Sequence, residues 1–149
     1  MATQASLDQQ LLEIINYMEQ EGIVDHHFKI VRSLKEATSP FFFAELIPTY
    51  CSDARLIIKE LTNSLGQNNI DYNQLDNLCL KLKGGTSCLG ACRMANACAE
   101  FRHAIDEKSK DGCVTMLNTI KEEFLVLQDN LDNILELEKR IISHVSKDS

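Results

Sequence analysis

Apolar side chains recur every three or four positions along nearly all of this chain, and only two prolines and six glycines interrupt its 149 residues. That period gathers side chains onto one face of an α-helix. No stretch alternates apolar and polar residues between turn signals, as a half-buried strand would. The chain is therefore expected to be all-α. Its length suits one domain with a real core, residues 1–149, rather than two.

The punctuation predicts six helices. The first runs from about Ser6 to Glu21 and stops at Gly22, with Leu11, Ile14, Ile15 and Met18 on one face. Asp25 is placed to cap a short second helix on which Phe28, Val31 and Leu34 share a face. Thr38, Ser39 and Pro40 should open a third, since proline near the first helical position loses no hydrogen bond. Its stripe is Phe43, Leu46, Ile47, Tyr50, Ala54, Ile57, Ile58, Leu61 and Leu65, and Pro48 inside it should kink it. The fourth helix spans about Tyr72 to Leu89, with a break at Gly90. The fifth gathers Met94, Ala97, Cys98, Phe101 and Ile105, and 108–112 forms a turn. The last, from about Cys113 to His144, places Leu117, Ile120, Phe124, Leu127, Leu131 and Ile134 at alternating steps of three and four, the seam of a bundle helix. Long amphipathic helices joined by short turns pack up and down. The expectation is a C-terminal antiparallel four-helix bundle over 38–145, with two N-terminal helices, 1–37, covering it.

Composition narrows the function classes. A formal net charge of −7 with 44% hydrophobic residues fits a folded soluble domain and argues against a nucleic-acid partner, which calls for a basic face. No apolar run approaches the roughly 20 residues that span a bilayer, so no membrane association is expected. The opening MATQASLDQQLLEII has neither a basic start nor a long apolar stretch, so no secretory signal is expected either. The six cysteines form no CxxC pair and are expected to be reduced, buried, small apolar residues. The histidines stand at no ligand spacing from them, so neither a metal nor a cofactor is expected.

One stretch departs from this plain pattern: LCLKLKGGTSCLG, residues 78–90. At about 100° per residue from Leu75, the residues Leu78, Cys79, Leu82, Thr86 and Leu89 lie within about 60° of one direction and form the core stripe. Leu80 falls near 140°, among Asp76, Lys83, Gly84 and Ser87. An apolar side chain thus stands on a polar, small-residue surface. Each glycine costs about 1 kcal/mol against alanine within a helix. Gly84, one turn after Leu80, leaves room for another protein to approach. Gly85, on the core flank, is expected to let a neighbouring helix of the bundle pack close.

The segment LKLKGGTSCLGACRMANACAEFR resembles that of plant histidine-containing phosphotransfer proteins, in which it reads His-Gln-Leu-Lys-Gly-Ser-Ser-Ser-Ser-Ile/Val-Gly-Ala, followed by an Arg and then Asn-Ala-Cys and Phe-Arg. The matches are Leu82, Lys83, Gly84, Ser87, Gly90, Ala91, Arg93, Asn96, Ala97, Cys98, Phe101 and Arg102. Ser39, Pro40, Phe42 and Glu45 upstream, and Gly112, Cys113, Leu137 and Glu138 downstream, extend it to roughly residues 17–143. The resemblance implies the helical fold already read from the pattern. It also implies partners: receiver domains of hybrid histidine kinases and response regulators.

The departures matter most. The family's phospho-accepting histidine would stand at position 80, which is Leu80. The following glutamine is Lys81, and the serine after the glycine is Gly85. The family chemistry needs an exposed imidazole to take a phosphoryl group from an aspartyl phosphate, and leucine has no lone pair to offer. The resemblance then implies a non-catalytic, pseudo-phosphotransfer protein that docks on receivers, competes with active carriers and dampens cytokinin-type signalling. The opposing reading is a working carrier using another acceptor. His103 is expected on the outer face of the fifth helix, His26 and His27 at the start of the second and His144 near the end of the last, all as ordinary surface histidines. A third reading is a helical adaptor that binds no receiver. For docking, Lys83 and Lys81 would attract a receiver's acidic pocket. Phe41, Phe42 and Leu56 lie off the core stripe of the third helix. They are expected to pack under the N-terminal helices, or else to extend an apolar patch beside Leu80. A monomer is expected, placed in the cytoplasm and, at 16.8 kDa, small enough to diffuse into the nucleus.

Overall fold

A computed structural model of the chain describes residues 3–38 and 41–148. Six α-helices and no strands occur among them: α1 (Gln4–Gln20), α2 (His26–Thr38), α3 (Phe42–Leu65), α4 (Tyr72–Leu89), α5 (Cys92–Asp106) and α6 (Lys110–Asp148). Helices α1, α2 and α4 start where a side chain satisfies a free N–H group of the first turn. Thr3 accepts from the amide of Ser6 at 3.1 Å, and Asp71 accepts from that of Gln74 at 3.1 Å. Asp25 accepts from the amide of His27 at 2.9 Å, the capping role expected of it.

The last four helices close a ring. α3 packs on α4 and α6, and α5 packs on α4 and α6. The short connections 90–91 and 107–109 force neighbours to run antiparallel, so the up-and-down bundle is observed. The covering helices divide their work: α1 lies on α6, whereas α2 lies against α3 and α4. The Phe28 and Phe43 rings meet edge-on with centroids 5.5 Å apart, joining α2 to α3. Arg32 of α2 reaches Glu138 of α6 at 3.3 Å, an ion contact on a carboxylate that is wholly buried.

Several boundaries and faces differ from expectation. Thr38 belongs to α2, and α3 begins at Phe42. The expected start at Ser39 and Pro40 lies outside the described residues. Leu34 is exposed rather than sharing the buried face of Phe28 and Val31. Pro48 lies inside α3, as expected. α6 begins three residues before Cys113, because the Ser109 hydroxyl accepts from the amide of Gly112 at 3.0 Å and so caps it early. All six cysteines are free thiols, but Cys88 is exposed and Cys92 half-buried, because both lie off the core stripes of α4 and α5.

Gly90 has two reasons to be glycine. It ends α4 in the left-handed region at φ 84, where a side chain strains the backbone. A Cβ there would also stand 2.6 Å from the amide nitrogen of Phe28 and 3.1 Å from the carbonyl carbon of His27. The Gly90 carbonyl accepts from the amide of Asp25 at 3.0 Å, so α2 is seated on this turn. Gly90→Ala is expected to lower the stability by more than the 1–2 kcal/mol or so of left-handed strain alone, because backbone must move as well. Urea unfolding followed by circular dichroism measures it.

Candidate functional site

The candidate site is the face of α4 turned away from the core. Leu75, Leu78, Cys79, Leu82, Thr86 and Leu89 are buried, which fixes the rotation of the helix about its axis. Leu80 is thereby held outward with 43% of its surface exposed. Around it, Lys81, Gly84 and Ser87 are exposed and Lys83 is half-buried. Asp76, one turn before Leu80, is tied to Arg102 of α5 at 2.9 Å, and that bond keeps the guanidinium firmly charged. A Cβ at Gly84 would meet nothing within 4 Å, so the surface beside Leu80 is open to an approaching molecule.

Gly85 does not serve close helix packing. It is exposed, and a Cβ there would touch the Tyr50 ring at 3.9 Å, an ordinary contact. Gly85 instead helps line a groove of about 390 Å³ between α3 and α4, with Tyr50, Asp53, Leu56, Ile57 and Lys81. The floor is held by a polar bond. The Tyr50 hydroxyl and the Thr86 hydroxyl lie 2.7 Å apart, and the Tyr50 hydroxyl also reaches the Met94 sulfur at 3.5 Å. Burial raises the pKa of Tyr50 well beyond that of an ordinary phenol, outweighing the lowering from Thr86, so it stays neutral. This bond was missed from sequence. Tyr50 and Thr86 both sit on core stripes, and polar heads there need partners, so that was the available signal.

Phe41 and Leu56 are 49% and 57% exposed rather than buried beneath the N-terminal helices. Phe42 is half-buried against the core. Leu56 sits on the rim of the groove with Lys81, whereas neither Phe41 nor Phe42 lines it.

None of the chain's four histidines lines the groove beside Leu80. The His103 imidazole projects outward from α5 and pairs with Glu107 at 3.0 Å. His26 and His27 are exposed at the start of α2. His27 adjoins Gly90, ten residues and so about 15 Å along α4 from Leu80. His144 is half-buried in the last turns of α6. Among the described residues no group of three or more His, Cys, Asp and Glu is placed to hold a metal ion.

This bundle and the segment on its second helix have relatives among known proteins. The chain matches the Hpt domain over residues 45–137 and belongs to that family. Within it the chain falls among the plant histidine-containing phosphotransfer proteins. It is 33% identical over 137 residues to histidine-containing phosphotransfer protein 1 of Oryza sativa subsp. japonica, spanning 92% of this chain and 93% of that one. A histidine-containing phosphotransfer protein from maize has a solved structure that superposes with a TM-score of 0.86 at 33% identity, covering 91% of this chain and 99% of that one. Pseudo histidine-containing phosphotransfer protein 1 of Oryza sativa subsp. japonica is 29% identical over 117 residues, spanning 78% of this chain and 63% of that one.

The open space at Gly84 carries its own prediction. Gly84→Ala should stabilise the fold by roughly 0.5–1 kcal/mol, since it removes glycine's helix penalty and meets no neighbour. A rise in thermal midpoint checks it. A fall would mean that the glycine is needed inside the fold rather than at its surface.

Proposed function

We propose that this chain is a pseudo-phosphotransfer protein. It docks on receiver domains of hybrid histidine kinases and response regulators, carries no phosphate, and so competes with active carriers and dampens cytokinin-type signalling. One observation carries the reading: Leu80 stands exposed where the family pattern places the phospho-accepting histidine. A histidine accepts a phosphoryl group through a ring nitrogen lone pair, and a leucine side chain has none. What surrounds that position still favours docking. An apolar side chain, an open glycine and two lysines form a surface suited to a receiver's apolar rim and acidic pocket. In an active relative a lysine one turn on from the histidine would stabilise phosphoryl charge, and here Lys83 retains only the attraction. The protein acts as a monomer, in the cytoplasm and nucleus.

The test uses a plant receiver domain, with the native chain and the Leu80→His variant side by side. Both are expected to bind. Only the variant is expected to take acid-labile, base-stable phosphate from the phosphorylated receiver. Phosphate on the native chain would contradict the proposal, and mapping the modified residue would then identify the working acceptor. Absence of binding by both would point to a helical adaptor outside phosphorelay.

A further inference from the structure

The groove between α3 and α4 has two features that packing among the described residues does not call for. Gly85 is exposed in the interior of α4, where glycine costs helix stability against alanine. A Cβ there would make only an ordinary contact with the Tyr50 ring, at 3.9 Å, so the bundle itself would accept a side chain at this position. Leu56, on the α3 wall, leaves 57% of its surface in water. We propose that the groove is a socket for a large apolar side chain of the receiver domain, and that Gly85 is the residue that keeps it open. The inference rests on the docking reading above and names a contact made beside Leu80.

The lining suits that occupant. Ala54, Ile57, Leu82 and the Tyr50 ring supply apolar surface. The Tyr50 hydroxyl is already engaged by the Thr86 hydroxyl at 2.7 Å, so the floor asks no hydrogen bond of a guest. At about 390 Å³ the groove falls within the roughly 300–1,000 Å³ of clefts that hold ligands. The charged groups of the lining, Asp53 on α3 and Lys81 on α4, are both exposed, whereas Ala54 and Leu82 are buried. Apolar depth beneath a charged mouth is the anatomy of a partner surface, with its apolar centre and polar rim. The two surfaces are also continuous. Lys81 follows Leu80 directly in the chain, so a receiver whose acidic pocket is drawn to Lys81 and Lys83 already stands over the mouth. The same guest would cover Leu56. A side chain at position 85 would project over the Tyr50 ring into this space, so it would compete with the guest for it.

The test titrates a plant receiver domain with the native chain and with Gly85→Ala, Gly85→Leu and Leu56→Ser, and records the thermal midpoint of each. Both Gly85 variants are expected to keep or raise the midpoint. Affinity should fall little for Gly85→Ala, by about tenfold or more for Gly85→Leu, and several-fold for Leu56→Ser. Leu125→Ser, a comparably exposed leucine on α6, should bind as the native chain does. Native affinity in both Gly85→Leu and Leu56→Ser would overturn the socket and leave the docking reading standing. So would a loss confined to a Gly85→Leu variant whose midpoint has dropped, or an equal loss in Leu125→Ser. A native chain that binds no receiver would overturn both. Phosphate on the native chain, with affinities ordered as expected, would overturn the pseudo-phosphotransfer reading alone.

Discussion

The apolar seam of α6 is the constraint on which the rest of the structure depends. Cys113, Leu117, Ile120, Phe124, Leu127, Leu131, Ile134, Leu137 and Ile141 are all buried along one line, and α1, α3 and α5 all pack on this helix. Burial of such a stripe is the main favourable term in folding. It also decides what is left over. α4 stands diagonally across the bundle from α6, packs on α3 and α5 and meets α2 as well, and these contacts leave the side that carries Leu80 exposed. The face that carries Leu80 is thus exposed by topology. The buried contact between Arg32 and Glu138 adds a tie from α2 to the same long helix.

Two features then fix how α4 presents that face. The Tyr50–Thr86 bond sets its rotation against α3, since a buried hydroxyl that loses its partner carries a desolvation cost. The left-handed Gly90 sets where the helix ends and gives α2 its seat. Position 80 precedes both, inside the helix rather than on a loop. Under the proposed function this position keeps its outward geometry while Leu80 offers no ring nitrogen to a phosphoryl group.

Much of this was legible in the sequence. The limits of α4 and all six of its buried residues followed from a strong helical period and the break at Gly90. The exposure of Leu80 followed from the same wheel. What was not legible depends on how far one helix is displaced along another, which periodicity does not encode. Leu34, Phe41 and Leu56 are exposed, Gly85 faces a groove rather than a packed helix, and the Tyr50–Thr86 partners appear only once the axial offsets exist. The early start of α6 was missed for a local reason: Ser109 was taken for turn when it is a cap.

The claim that the docking surface outlived its nucleophile is tested most directly by competition. A phosphorylated receiver domain and an active plant phosphotransfer protein would be mixed with increasing amounts of this chain, and the rate of phosphate arrival on the active protein followed. The account predicts that the rate falls as this chain is added, with no label on the chain itself and no change in the receiver's own rate of phosphate loss. An unchanged rate at saturating concentrations, or label accumulating on this chain, would contradict it.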